Sequence, residues 1–376
     1  MKIYQVGGAV RDRLLGRAVH DVDYVVVGST ADEMIEKGFR PVGSHFPVFL
    51  HPITNAEYAL ARTERKTAPG HQGFTFHADP SVTLEEDLLR RDLTINTMAQ
   101  AVNEVGEPVG EIIDPYGGQA DLRAGVLRHV SNAFLEDPLR VLRVARFAAR
   151  FPDFHIAPET LVHMKGMVEA NELETLSKER IWQELARAME ETEPLRFIET
   201  LNQCNALSNV LPSAFEKQWY QDDVQKSIRH AMRLVTLSHP ELNQRIACLL
   251  RTIAPVEIGE WARGSKWPND IVQYCQIVAE FESAHSKLIP SDMLAFFNRA
   301  DLWRKPQRTT ELLTLFEVMG IDIGVWQKSV AKLMDIDAGH IAESVSKRSN
   351  TNDLGQEIHA ELERVRLLAI QEVLSQ

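Results

Sequence analysis

Gly7-Gly8-Ala9-Val10-Arg11-Asp12 and, after a short interval, Asp21-Val22-Asp23-Tyr24-Val25-Val26-Val27 decide how this chain folds and where its chemistry sits. The first stretch follows Lys2-Ile3-Tyr4-Gln5-Val6, which reads as a strand, and it opens an amphipathic segment. A glycine turn leading into a helix can hold a phosphate through backbone N–H groups. A plain tight turn has the same composition. The second stretch reads as an apolar strand led by two carboxylates. Residues i and i+2 of a strand face one side, so Asp21 and Asp23 converge there. Two like charges so placed need a cation. Few carboxylates plus substrate phosphates suit Mg²⁺, and a two-metal site can activate an attacking hydroxyl while neutralising a departing pyrophosphate. A D-x-D pair alone is also compatible with solvated surface.

A third carboxylate is expected on a neighbouring strand. Glu57, at the start of Glu57-Tyr-Ala-Leu-Ala-Arg-Thr63, is the candidate. Glu64 is its rival, and an exposed edge-strand charge is the other reading of Glu57. With Phe46-Pro-Val-Phe-Leu-His51 and Glu111-Ile-Ile-Asp114 added, the first ~115 residues form an α/β head by their strand-and-turn punctuation. From Val130 onward the apolar residues recur with helical spacing, in Asp137-Pro-Leu-Arg-Val-Leu-Arg-Val-Ala-Arg-Phe-Ala-Ala-Arg-Phe151 and in Glu179-Arg-Ile-Trp-Gln-Glu-Leu-Ala-Arg-Ala-Met-Glu190. The fold class expected is α+β, a mixed head followed by a mainly helical remainder.

Three further stretches carry polar chemistry. Arg90-Arg91-Asp92-Leu-Thr-Ile-Asn96 reads as a helix, which would make Asp92 and Asn96 neighbours on one face able to meet a ribose. Asp114-Pro-Tyr-Gly-Gly118 is a turn by composition. Glu136-Asp137-Pro138-Leu139-Arg140-Val-Leu-Arg143 opens a helix with Asp137 as N-cap and Pro138 at the first helical position. Arg140 and Arg143 then lie near the positive end of that helix, where the dipole disfavours cations. An anion or an acceptor edge must compensate them.

Length and composition bound the rest. The 376 residues predict more than one domain, and 44% hydrophobic with 25% charged residues is ordinary for a globular protein. Cys204, Cys248 and Cys275 form no C-x-x-C pair, so neither a disulfide framework nor a zinc site is expected. A cytoplasmic location fits that usage. The N-terminal apolar stretch is too short for export, and no run of 18 apolar residues indicates membrane insertion. A net charge of −12 argues against nonspecific binding to polyanions and against DNA as a partner. An RNA site must be a local patch. Arg62 to Lys66, Arg90-Arg91, the series Arg140, Arg143, Arg146 and Arg150, and Arg304 to Arg308 are the candidates, each also readable as solvated surface.

In this order and spacing, GGAVRDRLLGR with DVD, RRDLTIN, DPYGG, EDPLRVLRVARF and ERIWQELARAM closely resemble the class II bacterial CCA-adding tRNA nucleotidyltransferases. The likeness covers roughly the first 190 residues, and later fragments such as ADLWRKPQR are similar to the enterobacterial type. It implies a polymerase-β-like head (1–138), a helical neck (139–205) and a helical body and tail (206–376) with a degenerate HD-like region. It implies Gly8 and Arg11 at the nucleotide triphosphate, Asp21 and Asp23 on Mg²⁺, and Arg91, Asp92 and Asn96 at the ribose. Asp137 and Arg140 would pair with the base edge, Arg143 would bind nucleotide, and Glu179 and Arg180 would brace that helix. The partners implied are tRNA, CTP and ATP.

Poly(A) polymerases share such a head, but they carry a basic, aromatic stretch soon after D-x-D. Here Val27-Gly-Ser-Thr-Ala-Asp-Glu-Met34 stands in its place. A CC-only enzyme would lack the loop between the D-x-D and R-R-D motifs, and Glu64 to Gly73 is present. An inactive RNA-binding relative would have lost a carboxylate or base-reading residue, and none is missing. Some relatives carry an HD phosphohydrolase site. This chain has Arg251-Thr252 where the His-Asp pair would fall, with His230 and Asp301 as scattered remnants, so no such activity is expected. Oligomeric state is left open.

Overall fold

The structure is a computed structural model that describes residues 1–19, 21–42, 48–66, 74–238, 241–348 and 353–376. These divide into two compact units, Met1–Val210 and Leu211–Gln376. The expected head and neck ranges both fall in the first unit, whose end lies five residues beyond the expected neck. The loop expected from Glu64 to Gly73 lies largely outside the described residues.

In the first unit the chain runs β1 (Lys2–Val6), α1 (Gly8–Leu14), β2 (Asp23–Val27), α2 (Ala31–Glu36), β3 (Arg40–Val42), β4 (Val48–Leu50) and β5 (Glu57–Leu60). A separate hairpin of β6 (Thr63–Lys66) and β7 (Phe74–His77) follows, then α3 (Leu84–Leu89), β8 (Ala99–Val102), β9 (Pro108–Ile113) and α4 (Gly118–Ala124). The main sheet has seven strands in the order β3-β4-β5-β2-β1-β8-β9. Among the described residues of this sheet only β2 and β5 pair in parallel, with Tyr24 opposite Tyr58. Those two rings stack at 4.3 Å on one face. By alternation, Asp23 and Glu57, one residue earlier on each strand, point together to the other face.

Helices then take over: β10 (Val126–Leu127), α5 (Leu139–Arg150), β11 (His155–Ile156), α6 (Pro158–Glu169), α7 (Lys178–Glu190), α8 (Pro194–Gln203) and α9 (Leu207–Val210). Helix α5 is the hub. Val141, Leu142, Val144, Ala145, Ala148 and Ala149 are all 0% exposed, because α5 packs against both α7 and α8. Truncating Leu142 to Ala there would cost about 2–5 kcal/mol. With its apolar residues turned to those neighbours, α5 carries Arg140, Arg143, Arg146 and Arg150 to the wall of a cavity.

The second unit is helical throughout its described residues: α10 (Ser213–Trp219), α11 (Asp222–Leu237), α12 (Leu242–Leu250), α13 (Pro255–Ser265), α14 (Asn269–Ala284), α15 (Pro290–Arg299), α16 (Pro306–Val318), α17 (Gly324–Met334), α18 (Ala338–Ser346) and α19 (Leu354–Leu374). Stacked aromatics hold it together, with Phe281 and Phe316 3.6 Å apart and Trp326 against Phe281, Phe296 and Phe297. Among the described residues, no helix is long and apolar enough to cross a membrane.

Candidate active site: an arginine-lined cavity in the first unit

A cavity of about 600 Å³ opens where β1, β2 and β5 meet the segment 90–96 and helix α5. Nine arginines line it: Arg11, Arg62, Arg90, Arg91, Arg140, Arg143, Arg146, Arg150 and Arg180. Only four acids join them, Asp23, Glu57, Asp92 and Asp137. The lining is therefore rich in guanidinium groups inside a chain whose net charge is −12. Five of them are held by Asp12, Asp87, Glu184 and Glu191 from outside the lining, and such a donor array suits a polyanion such as a triphosphate.

The glycine turn forms one wall. Gly7 has φ 66°, a conformation that disfavours any side chain, and a Cβ added there would also meet Arg91 Nη1 at 3.1 Å. Gly8 starts α1, which buries Arg11 and Asp12. Arg11 donates from Nε and Nη2 to Asp12 at 2.8 and 3.0 Å, and from Nη1 to Asn96 Oδ1 at 2.6 Å. Burial pulls its pKa below the usual arginine value, and Asp12 works against that.

Segment 90–96 is not the continuous helix expected from its spacing. Helix α3 stops at Leu89, Leu93 is extended and bridges His129, and Thr94–Asn96 forms a short 3₁₀ turn. The cause is local. Asp92 Oδ1 accepts from the Leu93 N–H at 2.8 Å and from Asn96 Nδ2 at 3.0 Å, offering the backbone an alternative to the helix ladder. The two side chains still meet. Arg143 closes on Asp92 Oδ2 with Nε at 2.7 Å. Burial alone would raise the Asp92 pKa, but Arg143, Asn96 and Arg140 hold it well below the ordinary carboxylate range.

Asp87 is fully buried and binds Arg90 at 2.7 Å and Arg91 at 3.0 Å. Its pKa is lowered despite burial, because the two guanidinium groups outweigh desolvation. Arg91 Nε is buried and has no acceptor among the described residues. The 114–118 turn supports this segment from behind. Asp114 caps α4 by accepting from Gly118 N and Gln119 N, and a Cβ on Gly118 would lie 2.3 Å from Thr94 O. Only glycine allows that approach.

At the head of α5 the N-cap is Pro138, not the expected Asp137, which lies one residue before it. The Asp137 carboxylate still serves the helix start, since Oδ1 accepts from Leu139 N at 3.1 Å, while Oδ2 takes Arg180 Nη2 at 3.0 Å. Arg140 donates to Arg90 O at 2.5 Å, the acceptor its position in the helix requires. Arg146 is braced from α7 by Glu184 at 2.8 Å.

Of the expected residues, Gly8, Arg11, Asp23, Glu57, Arg91, Asp92, Asn96, Asp137, Arg140 and Arg143 all line the cavity. Asp21 does not. Strand β2 begins only at Asp23, so strand alternation does not reach Asp21, which is exposed. No group of three or more His, Cys, Asp or Glu able to hold a metal occurs among the described residues. Asp21, Asp23 and Glu57 nonetheless make no side-chain hydrogen bond or ion pair among those residues, although so many arginines are near. Of these three acids, Asp23 and Glu57 line the cavity, and two hard oxygen donors left unneutralised there fit a divalent cation that completes its shell with water and substrate. Glu64, the rival third carboxylate, has no described side chain. Arg62, Arg146 and Arg150 also line the site; their place in basic patches was the only sequence signal for them.

Residues 3–128 match the family described as poly A polymerase head domain, and residues 153–217 match a probable RNA and SrmB-binding site of polymerase A. A multifunctional CCA protein from Burkholderia cenocepacia is 42% identical over 100% of this chain and 99% of its own length. A CCA-adding enzyme from Pseudomonas putida is 47% identical over 85% of this chain and 84% of its own. A CCA-adding enzyme solved with CTP is similar in fold, with a TM-score of 0.66 and 24% identity, over 100% of this chain and 90% of that one. With such identity along its whole length, the chain belongs to the family of CCA-adding enzymes, the tRNA nucleotidyltransferases.

Proposed function

We infer that the arginine-lined cavity is where this CCA tRNA nucleotidyltransferase adds C, C and A to the 3′ end of tRNA, using CTP and then ATP and releasing pyrophosphate, with no nucleic-acid template. The single observation that supports this best is the coexistence of nine arginines with the unpartnered carboxylates of Asp23 and Glu57 in one cavity. Triphosphate and metal each find the charge they need there.

Family members generally use divalent metal ions, and Mg²⁺ is the ion proposed here, held by Asp23 and Asp21 with Glu57 as third carboxylate. When bound it supplies charge neutralisation at the α-phosphate and activation of the attacking tRNA hydroxyl. The protein's own part is positioning and electrostatics. Gly8 and Arg11 meet the triphosphate, Arg91, Asp92 and Asn96 the ribose, and Arg143 steadies both Asp92 and the nucleotide. Asp137 and Arg140 read the base, Asp accepting and Arg donating, each contact being worth about 1–3 kcal/mol of discrimination. Arg180, by fixing Asp137, keeps one carboxylate oxygen oriented while the substrate competes for it. The cytoplasm, where tRNA and nucleoside triphosphates meet, is the compartment this reading implies.

Incorporation of each NTP offered singly tests it. CTP alone should add two residues to tRNA lacking CCA, ATP alone should add one only to tRNA ending in CC, and UTP and GTP should add none. Long adenosine tails from ATP alone would instead make the chain a poly(A) polymerase.

A further inference from the structure

Arg150, at the last turn of α5, was no more than part of a basic patch in the sequence, yet it begins an unbroken chain of polar contacts. Its Nη2 donates to Asp12 Oδ2 at 2.8 Å. Asp12 holds Arg11 through both oxygens, Arg11 donates to Asn96 Oδ1 at 2.6 Å, and Asn96 Nδ2 donates to Asp92 Oδ1 at 3.0 Å. Arg143 closes the far end on Asp92 Oδ2. Donor and acceptor alternate without a break through six side chains on α1, the 92–96 turn and α5.

The burial gradient gives the chain a direction. Arg11, Asp12, Asp92 and Asn96 are 3%, 6%, 6% and 7% exposed, whereas the Arg150 side chain is 33% exposed. Arg11 is further packed over Phe147 and Phe151. An amide such as Asn96 can face either way, and here the choice is made for it. Arg11 has only hydrogens to give, so Oδ1 must face it, and Nδ2 must then face the Asp92 carboxylate. The remaining surface of Asn96 and Asp92 is what a sugar would meet. Asp12 Oδ2 is shared by Arg11 and Arg150. Loss of Arg150 frees one side of the carboxylate on which Arg11 is anchored.

We propose that Arg150 is a positioning residue for sugar selection, acting through Asp12 and Arg11 to orient Asn96 and Asp92 toward a ribose. This rests on the assignment of Asp92 and Asn96 to the ribose given above. Arg150 also lines the cavity, so direct contact with substrate is the competing role.

The test compares kcat/KM for CTP and dCTP in the full-length protein on tRNA lacking CCA. Arg150→Ala should lower the preference for CTP by about tenfold, the size of one charged hydrogen bond, with KM for tRNA unchanged. Arg150→Lys, which keeps a donor for Asp12, should restore part of it and serves if the Ala variant unfolds. Asp12→Asn should lower the preference as well, and the double variant should fall no further than the worse single one. An unchanged preference in Arg150→Ala overturns the proposal, and so do losses that multiply in the double variant, since Arg150 would then act directly. Asn96→Ala separates the two levels. If it collapses the preference while Arg150→Ala does not, only the relay fails. If it leaves the preference intact, the ribose assignment fails and the relay with it.

Discussion

Arg143 in the first unit and Arg251 in the second both lie against carboxylates, but their surroundings leave different things over. Arg143 binds Asp92 at the wall of a cavity that holds nine arginines against four acids. Arg251, 6% exposed at its side chain, is matched one to one: it binds Glu282 at 2.6 Å and the Ser227 hydroxyl. Next to it, Thr252 is engaged with Gln218 through side chain and backbone. In the first unit the carboxylates of Asp23 and Glu57 await charges that the described residues do not supply. In the second, the Arg251 charge is answered from within by Glu282, although Arg251 Nε and Glu282 Oε2 are buried without a hydrogen-bond partner among the described residues. A buried ion pair is a poor sign of function; an uncompensated group of one sign beside a cavity is a better one.

The most damaging way to break this contrast is to remove a carboxylate from the cavity. Asp23→Ala should slow both C and A addition by at least about a thousandfold. The thermal midpoint should hardly move, because no intramolecular contact is lost. Near-normal turnover would return Asp23 to the surface charges. Asp21→Ala sharpens the result: an equal loss brings this exposed residue into the site, and unaltered turnover leaves it outside.

A smaller effect is expected at the head of α5. Asp137→Ala or Arg140→Ala should cut the preference for CTP over UTP by about 10- to 100-fold, as competing single-turnover assays would measure. An intact preference together with a stability loss of about 0.5–2 kcal/mol would reduce Asp137 to a helix cap. In the second unit, Arg251→Met should leave nucleotide incorporation unchanged at low temperature. It should destabilise that unit by about 1–3 kcal/mol in denaturant titration, because Glu282 loses its partner. Arg251→Met combined with Glu282→Leu should recover most of that. A loss of incorporation in the folded single variant would contradict a purely internal role.

At the bottom of the scale lies an expected effect of zero. Generic phosphodiesters and phosphomonoesters should not be hydrolysed, even with nickel, cobalt or manganese present, since Arg251-Thr252 offers no usual metal ligand. Hydrolysis that survives Asp21→Ala and disappears in His230→Ala would refute this.

Periodic and covalently local features were the readable ones. Helix α5 follows from Pro138 and an apolar stripe, and α7 spans Lys178–Glu190 where the spacing placed 179–190. Strand β8, Ala99-Gln-Ala-Val102, carries little β propensity and exists because β1 and β9 pair with it on either side. The helix expected over 90–96 is not formed, because the outcome there depends on which side chains capture backbone donors. Likewise, Arg62 and Arg150 reach the cavity through contacts more than twenty and more than a hundred residues away along the chain. No local pattern reports such pairing.

Strand β1 sits between β2 and β8, so the order of synthesis matters. Its hairpin with β2 can form early, but its other edge has no mate until Ala99–Val102 has left the ribosome. For that interval a nascent chain carries an open strand edge, the kind of template that recruits other chains. Fragments ending just before Ala99 should therefore aggregate in cell-free translation, whereas fragments released after Ile113 should not. Translational pausing within that interval would be a hazard to yield quite apart from any effect on the finished enzyme.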